Sequence, residues 1–180
     1  DVDGGAAIVT VNFGLEAWAP IEGCDHLLVV SIELNDAGEH GLGSETEAEA
    51  LAAGSEWWLL QAFRELDDAL LHLRMNLRDV ALVLIRATGS ADTVRATDEL
   101  IAGAEHWFVR ETRQFVKRVL KRLDVSAKSF YAVADGGTNF TGTFLEMALA
   151  SDRIYLLDDP DTEVEVGITV ANAGMFPMSN

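Results

Sequence analysis

Between Lys128 and Leu157 the chain reads KSFYAVADGGTNFTGTFLEMALASDRIYLL, and this stretch limits the possible folds more than any other. An apolar strand, Phe130 to Ala134, enters a turn containing Gly136, Gly137 and Gly142. A short helix follows, and a second strand starts near Arg153 and includes Ile154 to Leu157. Between Asp135 and Asp152 the only ionisable side chain is Glu146. Its neighbours Phe144, Leu145, Met147, Ala148 and Leu149 are apolar all round, which predicts a buried helix. A lone acid there, just past a turn whose backbone N–H groups can approach a ligand, has two readings. It is either a structural acid satisfied by internal donors or part of an active site.

The rest of the chain repeats strand, helix and strand. From Ser55, a plausible N-cap, Leu59, Ala62/Phe63, Leu66, Leu70, Leu73 and Leu77 recur at helical steps. Val80 to Ala87 (VALVLIRA) is nearly continuous in apolar residues, as expected of a parallel strand covered on both faces. A second helical stripe runs through Ile101, Ala104, Phe108, Thr112, Phe115, Val119 and Leu123. Upstream, Ala6 to Phe13 and His26 to Leu34 read as an antiparallel pair of strands, separated by a loop with Pro20 and Gly23. Asn35 to Glu49 reads as a loop that turns helical at its acidic end. The order predicts an α/β fold with right-handed crossovers.

At 180 residues one domain with a full core is expected, and 49% hydrophobic content is ordinary for it. A net charge of −17 argues against a nucleic-acid partner, since phosphates are held by clustered Lys and Arg. The positive charge is nevertheless concentrated: Arg110, Arg113, Lys117, Arg118, Lys121, Arg122 and Lys128 are more than half of the 13 basic residues. They form either a solvated face paired with acids or an anchor for a phosphorylated ligand or an acidic subunit surface. No apolar run approaches the ~20 residues that span a bilayer, and no signal peptide is visible. The single Cys24 fits a reducing cytoplasm. His26, His40, His72 and His106 lack metal-ligand spacing, so no metal is expected, and His106 reads as a capping or packing residue. Trp57, Trp58, Trp107 and Phe108 read as core or interface. The chain starts at Asp1 and stops at Asn180, and both ends read as cuts through a longer polypeptide.

GTFLEMALASDRIY (Gly142 to Tyr155) and GMFP (Gly174 to Pro177) resemble the glycine turn, buried-glutamate helix and G-x-x-P turn of the enoyl-CoA hydratase/isomerase (crotonase) superfamily. Four more specific segments carry the likeness further: Trp57 to Asn76, Ala96 to Glu99, His106 to Thr112 and Lys121 to Val133. They look like the second, C-terminal crotonase-like half of a member that opens the ring of an oxygenated benzoyl-CoA (dihydrodiol or epoxide) in aerobic aromatic degradation. The resemblance implies one crotonase-like (ClpP/crotonase) domain over 1–180, built of stacked ββα units, in a cytoplasmic homo-oligomer. It implies an aromatic-derived acyl-CoA substrate and no bound cofactor. Glu146 would be the catalytic acid, and amides near Gly142, Thr143 and Thr97 would hold the thioester oxyanion. A fixed pair of such donors is worth several kcal/mol of transition-state stabilisation.

The chain also departs from that pattern. Hydratases of the superfamily use a second glutamate, and Val170 stands at that place, four residues before Gly174. A valine transfers no proton, and Glu163 and Glu165 are out of register with it. Thr143 and Phe144 replace the small residues of the oxyanion turn, and Ala96 to Asp98 read A-T-D in place of G-A-D. Two roles follow: part of a ring-opening acyl-CoA lyase, or a non-catalytic crotonase-like module that supports such an enzyme's core or dimer interface.

Overall fold

The structure, a computed structural model, describes residues 9–15, 28–35, 46–78, 80–162 and 164–179, the first two stretches by their backbone. Cys24, Pro20, Gly23, His26, His40 and Glu163 lie outside the described residues. β1 (Val9–Leu15) and β2 (Leu28–Asn35) pair antiparallel, as their β-branched runs predict. β3 (Leu82–Thr88) then joins β2 in parallel, β4 (Ser129–Ala134) joins β3, and β6 (Arg153–Leu156) joins β4. The resulting sheet has the order β1-β2-β3-β4-β6. A second, two-stranded parallel sheet pairs β5 (Asn139–Thr141) with β7 (Glu165–Gly167).

The helix starts differ from those the apolar stripes suggest. α1 (Glu47–Ala53) opens with a capping box, in which the Thr46 hydroxyl accepts from Glu49 N–H and the Glu49 carboxylate accepts from Thr46 N–H. Ser55 is therefore not a cap: it lies in a 3-10 turn, Gly54–Glu56, and α2 (Trp58–Met75) begins after it. The predicted stripe of α2 is buried at Leu59, Ala62, Phe63, Leu66, Leu70 and Leu73.

Ile101 and Leu123 do not share one helix. α3 (Ala91–Ala102) is capped by Ser90, and Gly103–His106 separate it from α4 (Trp107–Asp124). A period counted across that break loses phase. The buried stripe of α4 is Val109, Thr112, Val116, Val119, Leu120 and Leu123, while Phe108 and Phe115 are only partly buried. His106 caps α4, its ring Nδ1 facing Phe108 N–H at 3.2 Å. The Glu47 carboxylate of α1 accepts from Glu105 and His106 N–H at 2.7 and 3.0 Å and fixes the same corner. Trp57 and Trp58 are core residues, whereas Trp107, at the first position of α4, is 68% exposed.

Val83, Ile85 and Ala87 of β3 and Phe130, Ala132 and Ala134 of β4 join the stripes of α2 and α4 in one core. The alternate residues of β3, Leu82, Leu84, Arg86 and Thr88, are only half-buried. The expectation of full cover on both faces holds for one face only. Among the described residues, no helix is long and apolar enough to cross a membrane.

Candidate functional site

β4 delivers the chain to the glycine turn. Asp135 is anchored there by Arg86 of β3 at 2.7 Å, and Thr138 bonds back to the Asp135 carbonyl through its N–H and its hydroxyl. After β5 the backbone passes through Gly142 with φ +52° and enters α5 (Thr143–Leu149). Two independent reasons require glycine here. The dihedral is one that side-chain-bearing residues rarely adopt, and a Cβ would sit 1.8 Å from Asp98 Oδ2 and 2.6 Å from the Thr169 hydroxyl.

That close approach places a carboxylate at the start of α5. Asp98 comes from α3 and is fully buried. Its Oδ2 accepts from Thr143 N–H at 3.1 Å and from the Thr169 hydroxyl at 2.6 Å, and its Oδ1 accepts from the Thr143 hydroxyl. Burial pushes the Asp98 carboxyl up from an ordinary 3.8 to about 6. The Thr143 and Thr169 hydroxyls and the Thr143 amide oppose that rise, and the nearby charge of Glu146 adds to it.

Glu146 lies one turn along α5 and is also fully buried. Its two oxygens are separately satisfied: Oε1 accepts from Asn172 Nδ2 at 2.9 Å and Oε2 from Met178 N–H at 3.0 Å. Asn172 closes a 3-10 turn, Val170–Asn172, in which its Oδ1 accepts from Thr169 N–H and the Thr169 hydroxyl accepts from Ala171 N–H. Its Nδ2 also donates to the Gly142 carbonyl at 3.0 Å, and Gly142 N–H donates to the Gly167 carbonyl at 2.9 Å. α3, the Gly142 turn, α5 and the C-terminal turn are thus tied into one buried polar knot.

The structure brings Glu146, Gly142 and Thr143 together, but the two amides are already engaged, Gly142 with Gly167 and Thr143 with Asp98. Thr97 is not in a loop. It lies in the middle of α3, where the backbone ladder occupies its N–H, and its hydroxyl accepts from Trp58 Nε1 at 3.1 Å. The reason is local: the Ser90 cap and the spacing Val94, Thr97/Asp98, Ile101 put Thr97 and Asp98 on a buried helical face. Val170 is 38% exposed, so the place of the second glutamate faces outward. Leu149, expected to be buried, is 43% exposed at the end of α5.

Asp98, Thr169 and Asn172 complete this buried cluster, and none of them stood out in the sequence as a site residue. An acid one helical turn from Val94 and Ile101, inside an apolar stripe, was the available signal for Asp98. The T-x-x-N spacing was the signal for the capping turn. Much of the basic cluster is satisfied internally: Lys121 pairs with Asp124, Arg122 with Asp67, Arg113 donates to the Ile101 carbonyl, and Lys128 to those of Leu77 and Val80. Among the described residues no group of His, Cys, Asp and Glu is placed to hold a metal ion.

The chain has the crotonase fold, an α/β arrangement of helices and parallel strands. DspI of Pseudomonas aeruginosa superposes over 99% of the chain and 55% of its own, with a TM-score of 0.58 at 14% identity. An enoyl-CoA hydratase of Geobacillus kaustophilus HTA426 covers 82% of the chain and 48% of its own, at a TM-score of 0.46 and 15% identity. Within this class the chain is similar to benzoyl-CoA-dihydrodiol lyase of Aromatoleum evansii, 48% identical over 138 residues. That match takes in 76% of the chain, which spans about a quarter (25%) of the length of the curated relative. Residues 1–81 match a family described as "Family of unknown function (DUF695)".

Proposed function

We propose that this chain is a single crotonase-type unit of a cytoplasmic, self-associating lyase that opens the ring of an oxygenated benzoyl-CoA. Within that enzyme we assign it the supporting role: it completes the core, and the proton transfers take place elsewhere. The 48% identity to benzoyl-CoA-dihydrodiol lyase supports the substrate class. One observation carries the division of labour. Both oxygens of Glu146 accept from structural donors, Asn172 Nδ2 and Met178 N–H, in a residue with no exposed surface. A general acid or base needs an oxygen within reach of substrate, and here both bind structural donors.

The same holds at the turn. Of the two amides that could stabilise an enolate, Thr143 N–H donates to the Asp98 carboxyl and Gly142 N–H to the Gly167 carbonyl. Thr143 and Phe144 fill the space beside it, both with no exposed surface.

Glu146→Gln in the native-length protein tests this role. A glutamine amide must point its NH2 at Asn172 Nδ2 or at Met178 N–H, which leaves a buried donor facing a donor and costs about 1–3 kcal/mol. The expected result is a melting temperature lowered by several degrees, with kcat on the benzoyl-CoA-derived substrate within about threefold of the parent. A hundredfold fall in kcat at unchanged melting temperature would overturn the supporting role and make Glu146 catalytic.

A further inference from the structure

The outward face of α4 is a continuous stripe. Trp107, Glu111, Gln114, Arg118, Lys121 and the capping residue Val125 are all exposed. At about 100° per residue, all six lie within about 40° of one line along the helix. That line is opposite the buried face, which Val109, Thr112, Val116 and Val119 form. A groove bounds the stripe on either side, one of about 770 Å³ toward α2 and one of about 490 Å³ toward the Gly174–Pro177 turn.

The stripe is apolar at both ends and charged between them. Trp107 is 68% exposed and Val125 62%. Tryptophan has one of the largest apolar side-chain surfaces, and leaving it in water forgoes the gain from burying it. The ring of Trp107 meets its sequence neighbours, His106 at 5.8 Å and Phe108 at 6.0 Å. Among the described residues Glu111 has no cationic partner, while Arg118 and Lys121 follow two to three turns later.

The order of these residues is self-complementary. The pairs 107/125, 111/121 and 114/118 are all centred on position 116. Two α4 helices laid antiparallel about a two-fold axis there set tryptophan against valine, carboxylate against ammonium and amide against guanidinium. Each pairing occurs twice, because in such an interface residue i meets j and j meets i. Arg110, beside the stripe, comes opposite Asp124 in the same register. A parallel arrangement would set Glu111 on Glu111 and Lys121 on Lys121, so the charges select the antiparallel one. Lys121 is held by Asp124 of its own chain at 2.7 Å, but that pair is exposed and its ammonium has further donors to offer.

We propose that the α4 stripe is a two-fold contact between copies of this chain, with Trp107 as its apolar anchor. A net charge of −17 makes most of the surface of two copies mutually repulsive, and α4 is where the cations are concentrated. The stripe is about 27 Å long and about 10 Å wide. That is less than half of the ~800 Å² per partner of a standard interface, so the contact is weak by itself, with a Kd of micromolar order. The inference rests on the self-association in the reading above, and not on its chemistry.

Sedimentation of the native-length protein at about 1–100 μM in low salt is the test. The mass of the parent is expected to rise with concentration across this range. Glu111→Lys and Lys121→Glu are each expected to weaken association about tenfold or more, by setting like charges opposite one another. Glu111→Lys/Lys121→Glu, which exchanges the charges, is expected to restore it to within about threefold. Trp107→Ala is expected to weaken it at least tenfold, as loss of a buried aromatic anchor does. Arg64→Ala, on α2, is expected to change nothing. Circular dichroism verifies that each variant folds, and a tighter contact elsewhere would raise the mass of every variant alike. A mass that none of these substitutions alters would overturn the proposal, as would a charge-exchanged variant that dissociates like the single ones. Single variants that melt earlier at unchanged mass would also overturn it, by showing that another segment of the same chain covers the stripe. Turnover of Glu146→Gln reports on the lyase reading alone, so the two failures are distinguishable.

Discussion

The knot around α5 and the outer flank of α4 handle charge in opposite ways. In the knot, Asp98 and Glu146 are buried without an ion pair among the described residues. Neutral donors hold them: two threonine hydroxyls, an asparagine amide and two backbone N–H groups. On α4, Lys117 and Arg118 have no carboxylate partner among the described residues, in a molecule whose net charge is −17. On the flank, opposite-charge attraction among the described residues is confined to Lys121 with Asp124 and Arg122 with Asp67. In the knot, hydrogen bonds in a low-dielectric interior fix one geometry, and leaving any donor or acceptor unpaired is costly. On α4, solvent screens the like charges, so their repulsion is small and their availability to a ligand is retained. The knot should therefore respond strongly to changes of one atom, and the flank weakly to changes of a whole charge.

The largest expected effect comes from one methyl group in the knot. Gly142→Ala combines a left-handed backbone with a Cβ 1.8 Å from the Asp98 carboxylate and 2.6 Å from the Thr169 hydroxyl. Nothing there can move without breaking a buried hydrogen bond, so a loss of about 4 kcal/mol or more is expected, enough to leave a marginal domain unfolded. Gly54→Ala and Gly137→Ala are the controls, since φ is positive at both but no atom lies within 4 Å of the added Cβ. They should cost about 1 kcal/mol by urea denaturation. Equal losses at all three sites would show that backbone conformation alone, not the crowded carboxylate, gives Gly142 its importance.

Asp98 supplies the next effect, and its sign is fixed by the direction of its shift. The folded carboxyl titrates at about 6 and the ordinary value is 3.8, so between these values the folded state holds a proton that the unfolded chain has released. This group therefore adds stability below about pH 4 and loses that contribution as pH rises to about 6, a swing of about 3 kcal/mol. Other acids titrate in the same window, so the measurement is a difference. The stability of the parent minus that of Asp98→Asn should increase by about that amount from pH 7 to pH 4. A flat difference would mean that Asp98 keeps its charge in the folded protein and that the knot holds a true anion.

How readily each region could be read from the sequence follows from the same contrast. The strand, glycine turn and buried helix around Glu146 were legible because apolar pattern places β4 and α5 in the core; β6 lies where its apolar run places it, but all four of its residues are exposed. The knot's other half was not, because hydrogen bonding between Asp98 and Thr143, 45 positions apart, leaves no periodic trace. Thr97 and Asp98 look polar and loop-like when judged by residue type alone, yet Ser90 caps a helix that buries both. β5 and β7, at three residues each, are too short for alternation to show. The cations of α4 were visible as a cluster, but the Gly174–Pro177 wall opposite them depends on tertiary packing.

The smallest stability change is expected from Lys117→Glu, and it sharpens the comparison most. The new carboxylate would stand four residues from both Arg113 and Lys121, replacing two repulsive neighbours with two attractive ones. Each repulsion lost and each attraction gained is worth about 0.2–0.5 kcal/mol on an exposed helix, so the variant should be more stable than the parent by about 1–2 kcal/mol. A gain in stability would mark Lys117 as a residue that its helix does not need. Lys117→Glu destabilising the fold, measured by urea titration at low and high salt, would instead show that Lys117 supports the structure. The flank would then resemble the knot, and the contrast between the two regions would fail.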